Sequence, residues 1–552
     1  MSLQPQVIYL VPQETARVAH AIFPTGNLVM RMYDDLDMLF HDRDFAEIFP
    51  PQGQPAEAPT RLALVTLLQF MEGLTDRQAA DAVRTRLDWK YLLCLDLTDR
   101  GFDHSVLSEF RTRLLTHQAE RCLFDAILDV ARERGMLASG GRQRSDSTHI
   151  LGAMRTLTRL EGVTETVRHT LNVLAPFAPE WLRAHTDATW IERYGPRASE
   201  YRLPKAQAKR RTWALQTGND ALALLTALDE QMTPPELRQL PAVVTLRKVW
   251  EQNFQLNDGQ VVWRETEELP PTGQFINSPY DPEARYATKR TTTWTGYKIH
   301  ITETCEPDMP NLITNIETTT AAVADDAVTE TIHGALAEHN LVPEVHIADT
   351  GYVNSKLFVS SQQKHGIALL GPTRSDNHWQ AKEGTGFAAS DFTIDWTHQQ
   401  AICPEGNVSM SWTPALDRVK NEVIKIKFAG GDCRTCPSHG KCTRSTPPRR
   451  TISIRPQAQY EALQTGRARE QTAGFKTEYA KRAGVEGTIA QAVRSCEVRR
   501  SRYMGLTKTH LAHMLTGAAM NVMRMLNWLA DVPKATTASS PFVQLYRSTN
   551  CP

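Results

Sequence analysis

From Pro59 to Leu115 the apolar residues recur at helical spacing, with Leu62, Val65, Leu68 and Phe70 one turn or less apart. Thr75 followed by Gln78 reads as a capping box, in which the hydroxyl caps the helix start and the amide reaches back. That pair predicts a helix through Ala79, Ala80 and Val83, with further helices over Ser105 to Leu115 and on to Arg134. Residues 1–135 are therefore expected to form an all-helical N-terminal domain. The glycine-rich stretch Gly135 to Gly141 breaks the pattern, and a short strand is predicted around Asp146. Helical spacing returns over 155–250, where Leu222, Leu225 and Leu228 are core candidates, and 155–270 reads as a mostly helical insertion.

After Pro270 the period falls to two. Residues 294–304 and 311–320 alternate as strands and suggest a hairpin; 323–339 reads as a helix, and 344–352 and 366–373 as strands. Three strands, a helix and a strand make a mixed α/β sheet. Residues 375–455 interrupt it with a cysteine-bearing insertion. A helical segment follows from Gln457 to Asn527, with Leu511, Met514, Leu515, Ala518, Val522 and Leu526 on one apolar face. The Ser-, Thr- and Pro-rich end, 533–552, is expected to be a flexible tail.

A length of 552 residues leaves room for two to four domains. No apolar run reaches the length of a membrane span, and the N-terminus lacks the basic start and apolar core of a secretory signal, so a cytoplasmic protein is expected. Net charge is zero, yet Arg444 to Lys508 holds fourteen Lys and Arg against five Glu and no Asp, a local +9. Such a segment suits phosphates, and equally a solvated helical surface. Of nine cysteines, Cys403, Cys433, Cys436 and Cys442 fall within forty residues, which in a cytosolic chain argues for metal before disulfides. The two-residue gap between Cys433 and Cys436 lets two thiolates clasp one zinc, and Cys442 and Cys403 would close a tetrahedral structural site, with His439 as a substitute ligand. Reduced, unliganded cysteines are the other reading. Such a zinc would hold together an insertion expected to be too loop-rich to bury a core of its own.

Asp146 and Asp349 each stand at a strand-like segment. Two carboxylates delivered to one sheet edge repel unless a cation lies between them, which points to Mg²⁺ or Mn²⁺. Taken singly, an Asp after a strand is most often a turn or cap residue. Their surroundings carry more. Ala348-Asp349-Thr350-Gly351-Tyr352 resembles the second acidic motif of bacterial insertion-sequence transposases of the DDE class, and Asp146-Ser147-Thr148 is similar to the first. Residues 278–300 resemble the stretch such enzymes carry along their second strand. Tyr479, Arg482 and Glu486 stand at the steps of the third motif, which place all three on one helix face. One position departs: the family's Lys seven residues after the Glu is Val493 here, with Arg494, Arg499 and Arg500 as nearby replacements.

The resemblance covers most of the chain and carries several implications. A helical domain (1–135) would bind transposon ends. A ribonuclease-H-like catalytic domain (136–532) would follow, with insertions at 155–270 and 375–455. Asp146, Asp349 and Glu486 would be catalytic and would hold two Mg²⁺ or Mn²⁺ ions astride a scissile phosphate. Arg482 and Lys298 are candidates for phosphate contacts, and Tyr352 and Tyr479 for stacking on or bonding to DNA. Lys298 is as readily a surface lysine, the tyrosines core aromatics, and His149, His300 and His346 structural histidines. A related insert often bears cysteines, which favours structural Zn²⁺. The partner is double-stranded DNA, the expected state a homodimer or higher homo-oligomer on it, and the location the cytoplasm, at the nucleoid. The rival readings are a metal-dependent nuclease that cuts without joining, and a DNA-binding protein with a decayed catalytic site.

Overall fold

In the computed structural model the described residues are 2–6, 9–50, 52–199 and 202–534; the expected tail lies outside them from residue 535 on. The helix Pro59–Glu72 opens with proline in its first turn, where no N–H is needed, and stops at Gly73 in the left-handed region at φ 71°. It is buried on nearly every side from Leu62 to Phe70. Asp76–Thr85 follows, capped by Thr75 with Gln78 reaching back as the spacing predicts. Ser105–Thr116 and Cys122–Glu133 complete this helical region.

The chain then enters β1 (Arg142–Leu151). The insertion after it holds the hairpin β2–β3 (Phe254–Asn257, Gln260–Trp263), which the helical spacing did not anticipate. Back in the sheet come β4 (Arg285–Lys289), β5 (Thr292–Thr304), β6 (Ile313–Thr320), β7 (Val345–Ala348) and β8 (Ala368–Leu370). Their order is β4-β5-β1-β7-β8, with β6 also on β5. β1, β5 and β6 run antiparallel, and β7 and β8 run parallel to β1. The architecture is thus a helical N-terminal region followed by a mixed α/β region.

One continuous core spans both. It runs from Val29 and the Pro59–Glu72 helix through Ile299, Ile301 and Ile316 to Leu526. The last helix, Leu506–Leu529, is its centre: one side faces β6 and the others face the N-terminal helices. Buried Asn521 ties it to β6 by accepting from the N–H of Ile313 and donating to its carbonyl, both at 2.8 Å. No helix among the described residues is long and apolar enough to cross a membrane.

The insertion at 155–270 has cores of its own, including Leu225 and Leu228 as predicted. The cysteine-bearing insertion differs from its expectation. It contains β9 (Thr393–Asp395) paired with β10 (Gln400–Ile402), and a three-stranded sheet of β11 (Ser411–Leu416), β12 (Glu422–Lys427) and β13 (Thr451–Ile454). These bury Phe392, Ala401, Ile426, Phe428, Ile452 and Ile454 together as a small core, so the insert is less loop-rich than expected. The helical segment expected from Gln457 to Asn527 comprises four helices: Gln457–Glu470, Ala473–Ala480, Ala483–Ser495 and Leu506–Leu529.

Candidate active site

The register between β1 and β7 sets Ser145 beside Ala348. One step further along two parallel strands brings Asp146 level with Asp349, which directly follows β7. Asp349 turns its loop back on itself by accepting the Gly351 N–H at 2.8 Å. A Cβ on Gly351 would stand 2.9 Å from Asp349 Oδ1, so a larger residue there would displace the carboxylate.

Asp146 Oδ1 accepts the Ser147 N–H at 2.8 Å, and its Oδ2 accepts from Arg482 Nη1 at 2.8 Å. The other terminal nitrogen of Arg482 donates to Glu486 Oε1 at 3.0 Å. One guanidinium therefore joins the first and third acids. Asp146 is nearly covered, at 14% side-chain exposure, while Glu486 is 63% exposed at the mouth. Burial pushes the Asp146 carboxyl above the usual range; the Ser147 N–H and Arg482 pull against that, and neighbouring Asp349 adds to it.

The Glu486 helix is held by charges that the sequence did not single out. Glu303 on β5 is fully buried. It accepts from Arg144 on β1 at 2.7 Å, from Arg524 at 2.8 Å and from Thr488 at 2.5 Å. Arg144 Nη1 also donates to the Lys481 carbonyl at 2.6 Å, just ahead of the helix. Its guanidinium lies so close to Gly484 that a Cβ there would collide with it. Lys481 and Arg482 keep helical dihedrals, but the N–H groups here bond three residues back, so Tyr479 lies in the last turn of one helix and Arg482 caps the next. The three residues of the third motif are close without sharing one regular helix.

Two predicted DNA contacts do not fit their positions. Lys298 pairs with His149 in the β1–β5 ladder, so its side chain leaves the sheet on the face opposite Asp146. There it is 9% exposed and donates to Asp325 at 2.7 Å. Tyr352 has no exposed surface and shares a 2.6 Å hydrogen bond with His300 Nδ1, so it is a core residue and not a stacking platform. His300 and His346 are likewise buried and bonded, His346 to Ser145 and to His333 at 2.7 Å each. His149 is half-buried against Trp294. Tyr479 is half-buried and stacked on Phe475. Val493 leans on the main core, whereas Arg494, Arg499 and Arg500 are exposed. Arg499 Nε donates to Thr148, two residues along β1 from Asp146 and on the same face, at 3.3 Å.

Residues 402–526 match a family model described as a transposase DDE domain, and residues 17–113 match one described as a transposase domain (DUF772). The chain is an insertion-sequence DDE transposase. Neither the search of curated proteins nor that of solved structures returned a match. The first model spans the four clustered cysteines, Tyr479, Arg482 and Glu486, and the second lies within the helical N-terminal region.

In this transposase, Cys403, Cys433, Cys436 and Cys442 line a single pocket together with His439. Burial pushes the Cys442 thiol up to about 11; Arg450 opposes this and the other three cysteines reinforce it. Backbone N–H groups of Asn407 and Arg450 point at the sulfurs of Cys403 and Cys433, at 3.3 and 3.5 Å. Among the described residues no group of three or more His, Cys, Asp or Glu is drawn together as a metal-holding set. The cysteines share a pocket without converging on a point, and the cation between Asp146 and Glu486 is Arg482.

Proposed function

We propose that this transposase binds the ends of an insertion sequence, cuts the DNA strand there and joins the freed end to a target, with Asp146, Asp349 and Glu486 as its catalytic acids. The observation that carries the reading is the meeting of the three motifs: the parallel register of β1 and β7 levels the two aspartates, and Arg482 links Asp146 to Glu486. Three antiparallel strands followed by two parallel ones, with Asp146 on the central strand, support a ribonuclease-H-like catalytic region over 136–532. Residues 1–135 are read as the end-binding region, supported by the family match at 17–113.

The donor set fits a hard divalent cation: all three groups are carboxylates, and two already give one oxygen each to a shared positive charge. Mg²⁺ or Mn²⁺, two per site, would activate the attacking oxygen and stabilise the leaving one. Asp146 presents acceptors from the central strand β1 and Asp349 from the end of its neighbour β7, and Glu486 reaches in from the solvent side. When Asp146 is given up to metal, Arg482 is free to meet a phosphate. Arg499, bonded to Thr148 on the Asp146 face of β1, adds exposed positive charge beside the site, Arg494 and Arg500 are exposed as well, and Tyr479 is read as a contact to the same DNA. Asp349→Asn should abolish cleavage of a labelled element end in Mg²⁺; unchanged cleavage would remove the catalytic assignment. Joined product from the unaltered chain separates a transposase from a nuclease, and hydrolysis alone would sink the joining step.

The cysteine pocket is read as a structural zinc site formed by Cys403, Cys433, Cys436 and Cys442. Four thiols around one pocket, with backbone N–H groups directed at two of the sulfurs, support it. Purified protein should carry about one zinc per chain, as four-ligand structural sites do, and Cys433→Ser should lower it; metal-free protein of unchanged stability would overturn this. A homo-oligomer on DNA is proposed from the family alone, and the mass of the DNA complex in solution tests it.

A further inference from the structure

The three-stranded sheet of the insert has two unlike faces. One sends Ile424, Ile426, Ile452 and Ile454 into the insert's core. On the other, the register places Thr413 and Ser453 beside Lys425, and Thr451 beside Lys427. All five side chains are exposed. No Asp or Glu occupies any paired position on that side, since Glu422 alternates to the opposite face. Arg449 is also exposed at the Lys427 end, its Nε donating to the Phe428 carbonyl at 3.3 Å.

We infer that this lysine- and hydroxyl-bearing face docks the sugar–phosphate backbone of duplex DNA. The inference rests on the transposase reading for its partner and on the face itself for its location. The two lysines stand about 6.8 Å apart, two residues along one strand, close to the separation of successive phosphates on a DNA strand. Thr413, Thr451 and Ser453 flank them with hydroxyls that donate to phosphate oxygens. The five paired positions carry no aromatic side chain, and Arg449 beside them adds positive charge, which favours a polyanion over a protein.

The placement is also suitable. The insert departs after β8, which runs parallel to β7, so its root lies at the sheet edge that carries Asp349. It returns through the helix Gln457–Glu470, which is pinned to that root: Arg469 donates to the Leu369 carbonyl at 3.1 Å, and Glu470 accepts the Thr373 N–H at 2.7 Å. The insert is thus fixed to the acid-bearing edge, and DNA leaving the acids on that side passes it. Contacts of this kind position a duplex without reading its sequence.

The test uses the full chain with two exposed substitutions, Lys425→Glu and Lys427→Glu, and as a milder pair Lys425→Gln and Lys427→Gln, each shown to be folded by its thermal midpoint. Binding to a labelled duplex carrying the element end, and to a random duplex, is measured across salt. Two lost phosphate contacts should weaken both complexes roughly tenfold at 50 mM salt and flatten the slope of log K against log salt by about two. Lys425→Arg with Lys427→Arg should bind like the unaltered chain. If the unaltered chain binds DNA and the charge-reversed pair binds with the same affinity and slope, this face is not a docking surface. If the unaltered chain binds no duplex at all, the transposase reading itself fails, and that outcome is distinct.

Discussion

Arg482 gives one end of its guanidinium to Asp146 and the other to Glu486, so two acids share a single positive charge. Arg482→Gln leaves Asp146 buried without its cation. The Glu486 half of the bridge is wet and contributes little, while the Asp146 half is largely covered, so the loss should be about 1–2 kcal/mol. Because a divalent ion would take over the same oxygens, Mg²⁺ should raise the thermal midpoint of the variant more than that of the unaltered chain. Equal Mg²⁺ shifts in the two proteins would show that metal and Arg482 do not compete for Asp146. At this scale the sequence was informative about identity and poor about direction. Asp146, Asp349, Arg482 and Glu486 are singled out by their motifs, and the fold brings them together. Lys298 was misplaced because only the register with β1, set across some 150 residues, decides which face a strand residue takes, and Tyr352 because the turn after β7 packs its ring into the core beside His300.

The helix that carries Glu486 shows what the element scale adds. The steps between Tyr479, Arg482 and Glu486 place all three on one helix face, and no proline near Arg482 argues otherwise. At the break Arg144, from β1, donates to the Lys481 carbonyl, which accepts the Gly484 N–H at 3.3 Å in place of the Val485 N–H that a continuing helix would bring. Gly484 leaves the space for that guanidinium. An Ala at an ordinary helical position favours the helix by about 1 kcal/mol over Gly. Gly484→Ala is expected to do the reverse, costing about 1–3 kcal/mol through overpacking against Arg144, and to slow DNA cleavage further by moving Glu486. Denaturant midpoints alongside cleavage rates check this, and a stabilised variant with normal cleavage would refute the clamp. The partners Glu303 and Arg524 carried no signal in the sequence, since each is an ordinary charged residue until the fold buries them together.

For the whole molecule, the shared core means that the N-terminal helices and the sheet should unfold as one unit, and the same packing buries four histidines: His300, His333, His346 and His513. Burial lowers each below its ordinary value, His333 to about 4 and His300 and His513 to about 3. Unfolded, each titrates near 6.5. As pH falls from 7 toward 5 the unfolded chain takes up protons that the native chain refuses, so stability present above pH 6.5 is lost on acidification. Three carboxylates raised by burial, Asp125, Asp146 and Glu317, work in the opposite sense, because the native state takes their protons first. They are outnumbered, and unfolded carboxylates begin to titrate only near pH 4. The urea midpoint should therefore fall steadily between pH 7 and 5. His513 accepts or donates to Thr318 at 2.7 Å on β6, a bond that Gln can replace. His513→Gln should flatten the slope by about one proton, close to 1.4 kcal/mol per pH unit. A midpoint that is level over this range, or a variant with the slope of the unaltered chain, would mean that the buried histidines are not what acid attacks first.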